Sequence, residues 1–282
     1  MSVRISAREM LYEDPGPKTK RRIRIVTGIS LAALAALVAL VMHQFYVTGQ
    51  LDAKYWYFFA KMTTWSFLGK GLLGTLEAAV MAGALAFAAG FFLMLGRISS
   101  NRFLSVICTA LIEFTRGVPT LLFIYFFFLV VPQFGIKMDA FWKISIPVAI
   151  SACGVVAEVL RSGVNAVPKG QTEAALSLGM QGRSVFLKVV FPQAIRYVIP
   201  ALIAELVIVV KDTTFAYVVN FPDLMQNAKV LISNYDALLS VYLVVAVIYI
   251  IINYLLNKLS DRIAANQKSL LKTRRVLPTD GT

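Results

Sequence analysis

Six long apolar stretches divide the chain, at residues 24–47, 69–95, 103–131, 144–164, 194–220 and 237–257. A helix needs about 20 predominantly apolar residues to cross the hydrocarbon core of a bilayer. Because a chain within lipid has to satisfy its backbone hydrogen bonds internally, each stretch is expected to be helical. The sequence therefore predicts an all-α, polytopic membrane protein with about six transmembrane helices.

The composition agrees with a membrane protein. Hydrophobic residues make up 58% of the chain and charged residues 15%, against roughly 45 to 50% and about 25% in soluble domains. The net charge of +13 is spread between the apolar stretches and forms no single basic patch, so membrane lipid is the expected partner and nucleic acid is not. The first stretch is long for the apolar region of a cleaved signal peptide, so we expect a retained helix.

The positions of Lys and Arg predict the orientation, because cytoplasmic loops carry the excess of these residues. With the N-terminus inside, 20 of the 28 basic residues lie on the cytoplasmic side and six outside, which leaves Arg116 and Lys211 within spans. We therefore expect both termini in the cytoplasm. Four regions follow: a basic N-terminal tail at 1–23, an additional N-terminal transmembrane helix at 24–47, a transmembrane domain at 69–258 and a basic C-terminal tail at 259–282. The polar ends, 1–20 and 267–282, are expected to be poorly ordered.

The cytoplasmic loop 165–192 has the composition of two short helices. Pro168 is expected to stop the preceding helix and Thr172 to cap the next one. Gly179 can supply the positive φ that ends this helix, and Pro192 is expected to end the second one. The pattern predicts a helix-turn-helix on the inner membrane surface, with small Ala side chains that let another protein approach.

This loop resembles the EAA loop of binding-protein-dependent ABC importer permeases, in which a Gly lies four residues after the last Ala and a Pro closes the motif. Val189, Val190 and Phe191 stand where relatives have Ile-x-Leu before the Pro, so the apolar character is kept. In that family the loop contains a coupling helix that docks into a groove of the ATPase. The resemblance implies that coupling involves Glu173, Ala174, Ala175, Gly179, Arg183 and Pro192.

Five further segments resemble, in the same order, permeases of the polar amino-acid uptake family: RGVP at 116–119, AEVLRSG at 157–163, VPKGQ at 167–171, FPQA at 191–194 and KDT at 211–213. The resemblance runs from Gly69 to Lys258 and implies a five-helix type I ABC importer core. It departs at 120–123, where relatives often have a run ending in Gln, so no role of that Gln is carried over. The extra helix and tails resemble those of an actinobacterial glutamate permease subunit.

The resemblance also implies partners: a dimer of ABC ATPase subunits that uses ATP and Mg, a second permease that is either a sister subunit or another copy, and an extracytoplasmic amino-acid-binding protein. The sequence has no GxxxxGK[ST] loop for nucleotide phosphates, so ATP hydrolysis is expected in the partner and no cofactor is expected on this chain. Two Cys without CxxC spacing and a single His predict neither a metal site nor histidine-based catalysis. We expect a non-catalytic subunit in the bacterial plasma membrane.

Several ionisable residues fall within the apolar stretches, where a charge costs roughly 2.5 to 3.5 kcal/mol and normally faces a cavity or a partner. Two Glu–Arg pairs are spaced three residues apart and can each meet on one helix face; they are Glu113 with Arg116 and Glu158 with Arg161. Glu205 and Asp212 share a face of a later span. For Glu77, Glu113 and Glu205 a structural role is favoured.

A polar substrate pathway is the functional interpretation of these charges. Arg116, Arg161 or Lys211 is expected to meet substrate carboxylates, and Glu158 or Asp212 the substrate ammonium. Related permeases also place the Lys-Asp-Thr positions, and hence Thr213, near the transported amino acid. The alternative is ion pairing that only holds the helices together.

The predicted function is a permease of an ATP-driven importer for a polar amino acid, with L-glutamate as the first choice. Glutamine, aspartate or a basic amino acid are alternative substrates. A secondary transporter would also suit intramembrane charges and broken helices, but it would need no ATPase-docking loop. A membrane-embedded enzyme is disfavoured because the chain has no histidine cluster or nucleophile motif.

Overall fold

The computed structural model describes residues 16–274, with side chains to residue 263. This part of the chain is helical and contains no β-strand, which confirms the predicted all-α class. Its α-helices are α1 (Pro17–Val47), α2 (Met62–Arg97), α3 (Arg102–Gly117), α4 (Thr120–Tyr125), α5 (Ala140–Ala166), α6 (Lys169–Ser177), α7 (Gly182–Val185), α8 (Phe191–Asp212), α9 (Leu224–Tyr235) and α10 (Leu238–Arg274). Short 3-10 or π segments lie at Ala53–Tyr55, Tyr57–Ala60, Phe126–Val130, Val131–Phe134, Phe186–Val190 and Thr213–Val219.

Five helical runs of the described residues are long and apolar enough to cross a membrane: Pro17–Val47, Met62–Arg97, Ala140–Ala166, Gly182–Val219 and Leu238–Ile263. A sixth span is formed if α3 and the helix after it, Thr120–Phe134, act together, although they are bent by 97°. The helical path is therefore broken completely at Pro119. Val118 before it has extended backbone angles, φ −93° and ψ 126°, because the proline ring disfavours a helical residue at that position.

The helices extend further into the predicted tails than expected. α1 begins at Pro17, and a proline is well tolerated in the first turn because its missing N–H needs no partner there. α10 continues to Arg274, so residues 267–274 are helical; this segment is rich in Gln, Lys and Leu, which favour helix. Residues 1–15 and 275–282 of the predicted tails lie outside the described residues.

The chain divides into two units after Trp56. α1 belongs to the first unit, and α2 to α10 form the second. Within the second unit α5 is central, because it packs against α2, α3, α4 and α8. Small residues allow these close contacts: a Cβ on Gly163 of α5 would lie 2.8 Å from the carbonyl oxygen of Ala194 on α8.

α9 packs against the first half of α2. The backbone N–H of Leu224 donates to the Thr75 hydroxyl at 3.1 Å, and the Asn227 side chain donates to the Phe67 carbonyl at 2.8 Å. Asp223 caps α9 by accepting from the Gln226 N–H at 2.7 Å. Burial of this carboxyl raises its pKa to about 6.

The loop after α5 forms a short helix with a defined stop. Pro168 separates α5 from α6, as predicted, and itself occupies the N-cap position of α6 without a side-chain hydrogen bond. The predicted cap, Thr172, lies inside α6 instead, because the helix already begins directly after the proline. Gly179 has the predicted positive φ, +77°. Its N–H donates to the Leu176 carbonyl and the N–H of Met180 to that of Ala175, which is a Schellman ending.

Pro192 does not end the second short helix, contrary to the sequence-based expectation. The helical path runs from α7 through the π segment Phe186–Val190 into α8, with Pro192 in the first turn of α8. A π segment displaces the usual hydrogen-bond pattern, so the proline, which has no N–H, is accommodated there without breaking the path.

Candidate functional site

Three helices contribute to a cluster of charged side chains centred on Glu158 of α5. One Glu158 oxygen, Oε2, accepts from Arg161 Nε at 3.2 Å and Nη2 at 2.9 Å. Its other oxygen, Oε1, accepts from Nη1 of Arg97, the last residue of α2. Arg97 Nη1 also lies 3.7 Å from Oε1 of Glu113 on α3, and Glu113 Oε2 lies 3.4 Å from Arg116 Nη1. We call these five residues the arginine–glutamate cluster.

The two Glu–Arg pairs predicted from three-residue spacing are both formed. Arg97 was not expected in the site, because it follows the apolar stretch 69–95 and was counted among the basic residues of the cytoplasmic side. Helical side chains tilt toward the N-terminus of their helix, so a basic residue in a last turn can reach back along the span. This direction is the sequence signal that would have found Arg97.

Exposure differs across the cluster. The side chains of Glu158 and Arg97 are 20% and 21% exposed, whereas those of Arg116 and Glu113 are 42% and 57% exposed. Three guanidinium groups face two carboxylates, which gives the cluster one excess positive charge. The pairing of Glu158 with Arg97 is therefore the less exposed one, and Arg116 is the more open donor.

A second polar group joins α4, α5 and α8. The Thr120 hydroxyl donates to Asp212 Oδ2 at 2.7 Å and lies 2.8 Å from the Ser151 hydroxyl. Because a hydroxyl has a single proton, Ser151 donates to Thr120 while Thr120 donates to Asp212. Thr120 and Ser151 were not identified from the sequence, because only charged residues within the spans were considered. Thr120 also lies in segment 120–123, where the sequence differs from the family pattern.

The two polar groups share one face of α5. Ser151 and Glu158 are seven residues apart, which is two helical turns or about 10.5 Å. The carboxylate of Asp212 is thus held near one end of this face, and the arginine–glutamate cluster lies at the other end. The two groups therefore contact α5 about two helical turns apart.

The two remaining predicted pathway residues, Lys211 and Thr213, belong to neither polar group. The Lys211 side chain is exposed and forms no ion pair with any side chain described between residues 16 and 263. Thr213 is fully buried, and its hydroxyl donates to the Val210 carbonyl at 2.8 Å. Lys211 and Asp212 therefore do not neutralise each other, as expected for neighbours about 100° apart around a helix.

A cavity of about 240 Å³ lies beside this region, between α2, α5 and α8. Its lining is apolar apart from Glu205, which is 7% exposed and shares a face of α8 with Asp212. Because α8 is continuous over both residues, the predicted common face of Glu205 and Asp212 is confirmed.

The α6 loop presents an apolar surface next to the motif residues. Glu173 and Ala174 are exposed, whereas Ala175 is 5% exposed and packs in a small cluster with Val185 and Val190. Leu178 is 83% exposed, which is unusual for a large apolar side chain. Exposed apolar surface of this kind marks interaction sites. Arg183 and Pro192 are also exposed.

A family model, described as the binding-protein-dependent transport system inner membrane component, matches residues 86–268. The chain belongs to this family. The matched region begins within α2 and ends within α10, so it contains the arginine–glutamate cluster, Asp212 and the α6 loop, but not α1.

Individual members of the permease family agree. The chain is 36% identical over 219 residues to the glutamate transport system permease protein GluD of Corynebacterium glutamicum, covering 76% of this chain and 80% of that one. It is 30% identical over 205 residues to the probable glutamine ABC transporter permease protein GlnP of Bacillus subtilis, covering 72% and 94%.

A solved amino acid ABC transporter, crystallised with histidines, superposes with a TM-score of 0.68 at 30% identity, covering 74% of this chain and 98% of that chain. The MetNI methionine ABC transporter, at 19% identity and a TM-score of 0.64, supports the fold. This chain is therefore a multi-pass permease of an ABC importer for amino acids.

Proposed function

We propose that this permease carries L-glutamate across a bacterial plasma membrane. The observation that carries the proposal is the pair of polar groups on one face of α5. Asp212 can receive the substrate ammonium, and Arg116 and Arg161 can receive its side-chain carboxylate. An extended glutamate, about 5 Å from amino nitrogen to side-chain carboxyl carbon, spans roughly 10 Å with a hydrogen bond of about 2.8 Å at each end.

The other predicted residues have supporting roles in this proposal. Glu158 pairs with Arg161, and in this proposal it releases Arg161 to a substrate carboxylate. The exposed ammonium of Lys211 attracts anionic substrate toward Asp212. Thr213 fixes the end of α8 through its bond to Val210 and so presents Asp212.

The α6 loop is the proposed contact with a separate ATPase. α5 is continuous from Ala140 to Ala166, and α6 begins at Lys169, so a displacement of α6 acts directly on the helix that carries Glu158 and Arg161. The proposed assembly contains an ATPase dimer that binds ATP and Mg, a second permease and an extracytoplasmic binding protein. The chain itself supplies the pathway and catalyses no reaction.

Competition of uptake tests the substrate. In a strain deleted for the importer and complemented with this chain and its partners, unlabelled glutamate and aspartate are expected to suppress labelled glutamate uptake. Glutamine and arginine are expected to compete weakly, because neither carries a net negative charge. Copurification of an ATPase with the chain is expected in the same cells.

Two results would contradict this proposal. Equal competition by glutamine would favour the second candidate substrate, which the similarity to the probable glutamine permease supports. Uptake that persists without any copurifying ATPase would instead indicate a secondary transporter.

We also propose that both termini and the loop 165–192 are cytoplasmic, as the distribution of basic residues predicts. Gln181 and Lys137 are both exposed and are assigned to opposite sides. With Cys108 and Cys153 replaced, Gln181→Cys is expected to resist an impermeant thiol reagent in intact cells and to react after permeabilisation, whereas Lys137→Cys reacts in both. The reverse labelling pattern would invert the topology.

A further inference from the structure

We infer that Arg97 sets the charge class of the transported amino acid, by keeping the arginine–glutamate cluster at a net charge of +1. This inference rests on the proposed function, in which the cluster receives the side-chain carboxylate of the substrate. It assigns a role in specificity to a residue outside the two Glu–Arg pairs of α3 and α5.

Arg97 is placed to act on the whole cluster. Its guanidinium bonds Glu158 and lies 3.7 Å from Glu113, so it contacts both carboxylates of the cluster. Without Arg97, these two carboxylates would balance Arg116 and Arg161, and the net charge would be zero. With Arg97, one positive charge remains available for a ligand.

The excess charge is more than helix pairing requires. Two guanidinium groups would suffice to neutralise two carboxylates, and an unneutralised charge within a span is costly unless a partner completes it. Arg116 is 42% exposed, and its nearest carboxylate oxygen lies 3.4 Å away, which is long for a hydrogen bond. The cluster therefore has an open cationic group and a net charge suited to a monoanion.

This charge distinguishes amino acids that local contacts cannot. Glutamate and aspartate carry a net charge of −1, whereas glutamine is a neutral zwitterion whose side-chain amide oxygen can still accept a hydrogen bond from Arg116. At a separation of about 8 Å and an effective dielectric constant of about 20, one unit charge changes binding roughly 30-fold. Removal of Arg97 should thus act on the glutamate to glutamine ratio and not only on total uptake.

The experiment measures the apparent affinities of the assembled importer for glutamate and glutamine in uptake assays. Arg97→Gln is expected to lower the glutamate to glutamine affinity ratio by roughly 30-fold, while Arg97→Lys keeps most of it. Arg102→Gln is the matched control, because Arg102 is an exposed basic residue at the start of α3 outside the cluster. Its ratio is expected to equal that of the wild type.

A charge-restoring double variant separates selectivity from helix clamping. In Arg97→Gln with Glu113→Gln, the remaining Arg116, Arg161 and Glu158 again sum to +1, although both ion pairs of Arg97 are lost. Recovery of the glutamate preference supports the inference. If Arg97 only clamps helices, uptake of both amino acids falls in parallel and the double variant recovers nothing, which overturns it.

The wild-type result distinguishes this failure from failure of the proposed function. A wild type that prefers glutamine refutes glutamate as substrate. A wild type that prefers glutamate, with an unchanged ratio in Arg97→Gln, refutes the role of Arg97 alone. Copurification with the ATPase confirms that each variant compared is assembled.

Discussion

Asp212→Asn is expected to reduce glutamate uptake by at least about 100-fold while the permease still assembles with its ATPase. Asn has nearly the shape of Asp, and its carbonyl oxygen can still accept from Thr120. The change therefore removes the negative charge that we propose receives the substrate ammonium, and little else. Breaking a buried charge pair by removing one partner costs roughly 3 to 5 kcal/mol. The measurement is uptake per assembled complex.

Two comparisons sharpen the Asp212 prediction. Glu77→Gln neutralises another carboxylate, on an exposed face of α2 away from both polar groups, and is expected to retain uptake. Lys211→Met combined with Asp212→Leu should remain inactive, because the hydrogen-bond partner of Asp212 is Thr120 and not Lys211. Wild-type transport by this double variant would refute a substrate role for both residues.

Local features of the site were predictable because they depend on spacing along one helix. The pairing of Glu158 with Arg161 follows from three-residue spacing, and the positive φ of Gly179 from its place after a short Ala-rich helix. The helices themselves followed from apolar length, since lipid leaves the backbone few alternatives.

Contacts between distant segments were not predictable in the same way. Arg97 and Glu158 are 61 residues apart, and Thr120 and Asp212 are 92 apart. These pairs depend on how α2, α4 and α8 pack around α5, which no single-helix periodicity specifies. Thr120 directly follows the break at Pro119 and bonds Asp212. This region was predicted from the sequence as one span, which gave no reason to single out Thr120.

Helix ends were the least predictable features, because competing signals lay close together. Thr172 has good capping chemistry, yet α6 already begins at Lys169, directly after Pro168. Pro192 normally signals a helix end, but the π segment before it changes the hydrogen-bond pattern and lets the helix continue. The position of each helix end was therefore decided by the conformation of the neighbouring backbone, and not by how strongly a single residue favours a cap or a stop.

Gly179→Val is expected to lower uptake at least about tenfold and to abolish stimulation of ATP hydrolysis by the loaded binding protein. Gly179 has φ +77°, a conformation that costs an L-residue roughly 1 to 2 kcal/mol and a β-branched one more. A Cβ there would meet nothing within 4 Å, so the effect comes from the backbone and not from a clash. Relief of the strain would unwind the Schellman ending and redirect Leu178, the exposed apolar residue beside it.

Gly182→Val provides the matched control for this uncoupling. Gly182 lies three residues later in the same loop, has equally open space around its Cβ and lacks the positive φ. It should therefore retain both uptake and stimulated ATP hydrolysis, measured on purified importer in liposomes. If both variants behave alike, the conformation of Gly179 does not control coupling. If Gly179→Val alone loses stimulation while its basal ATP hydrolysis and assembly persist, the α6 ending is the element through which the permease and the ATPase communicate.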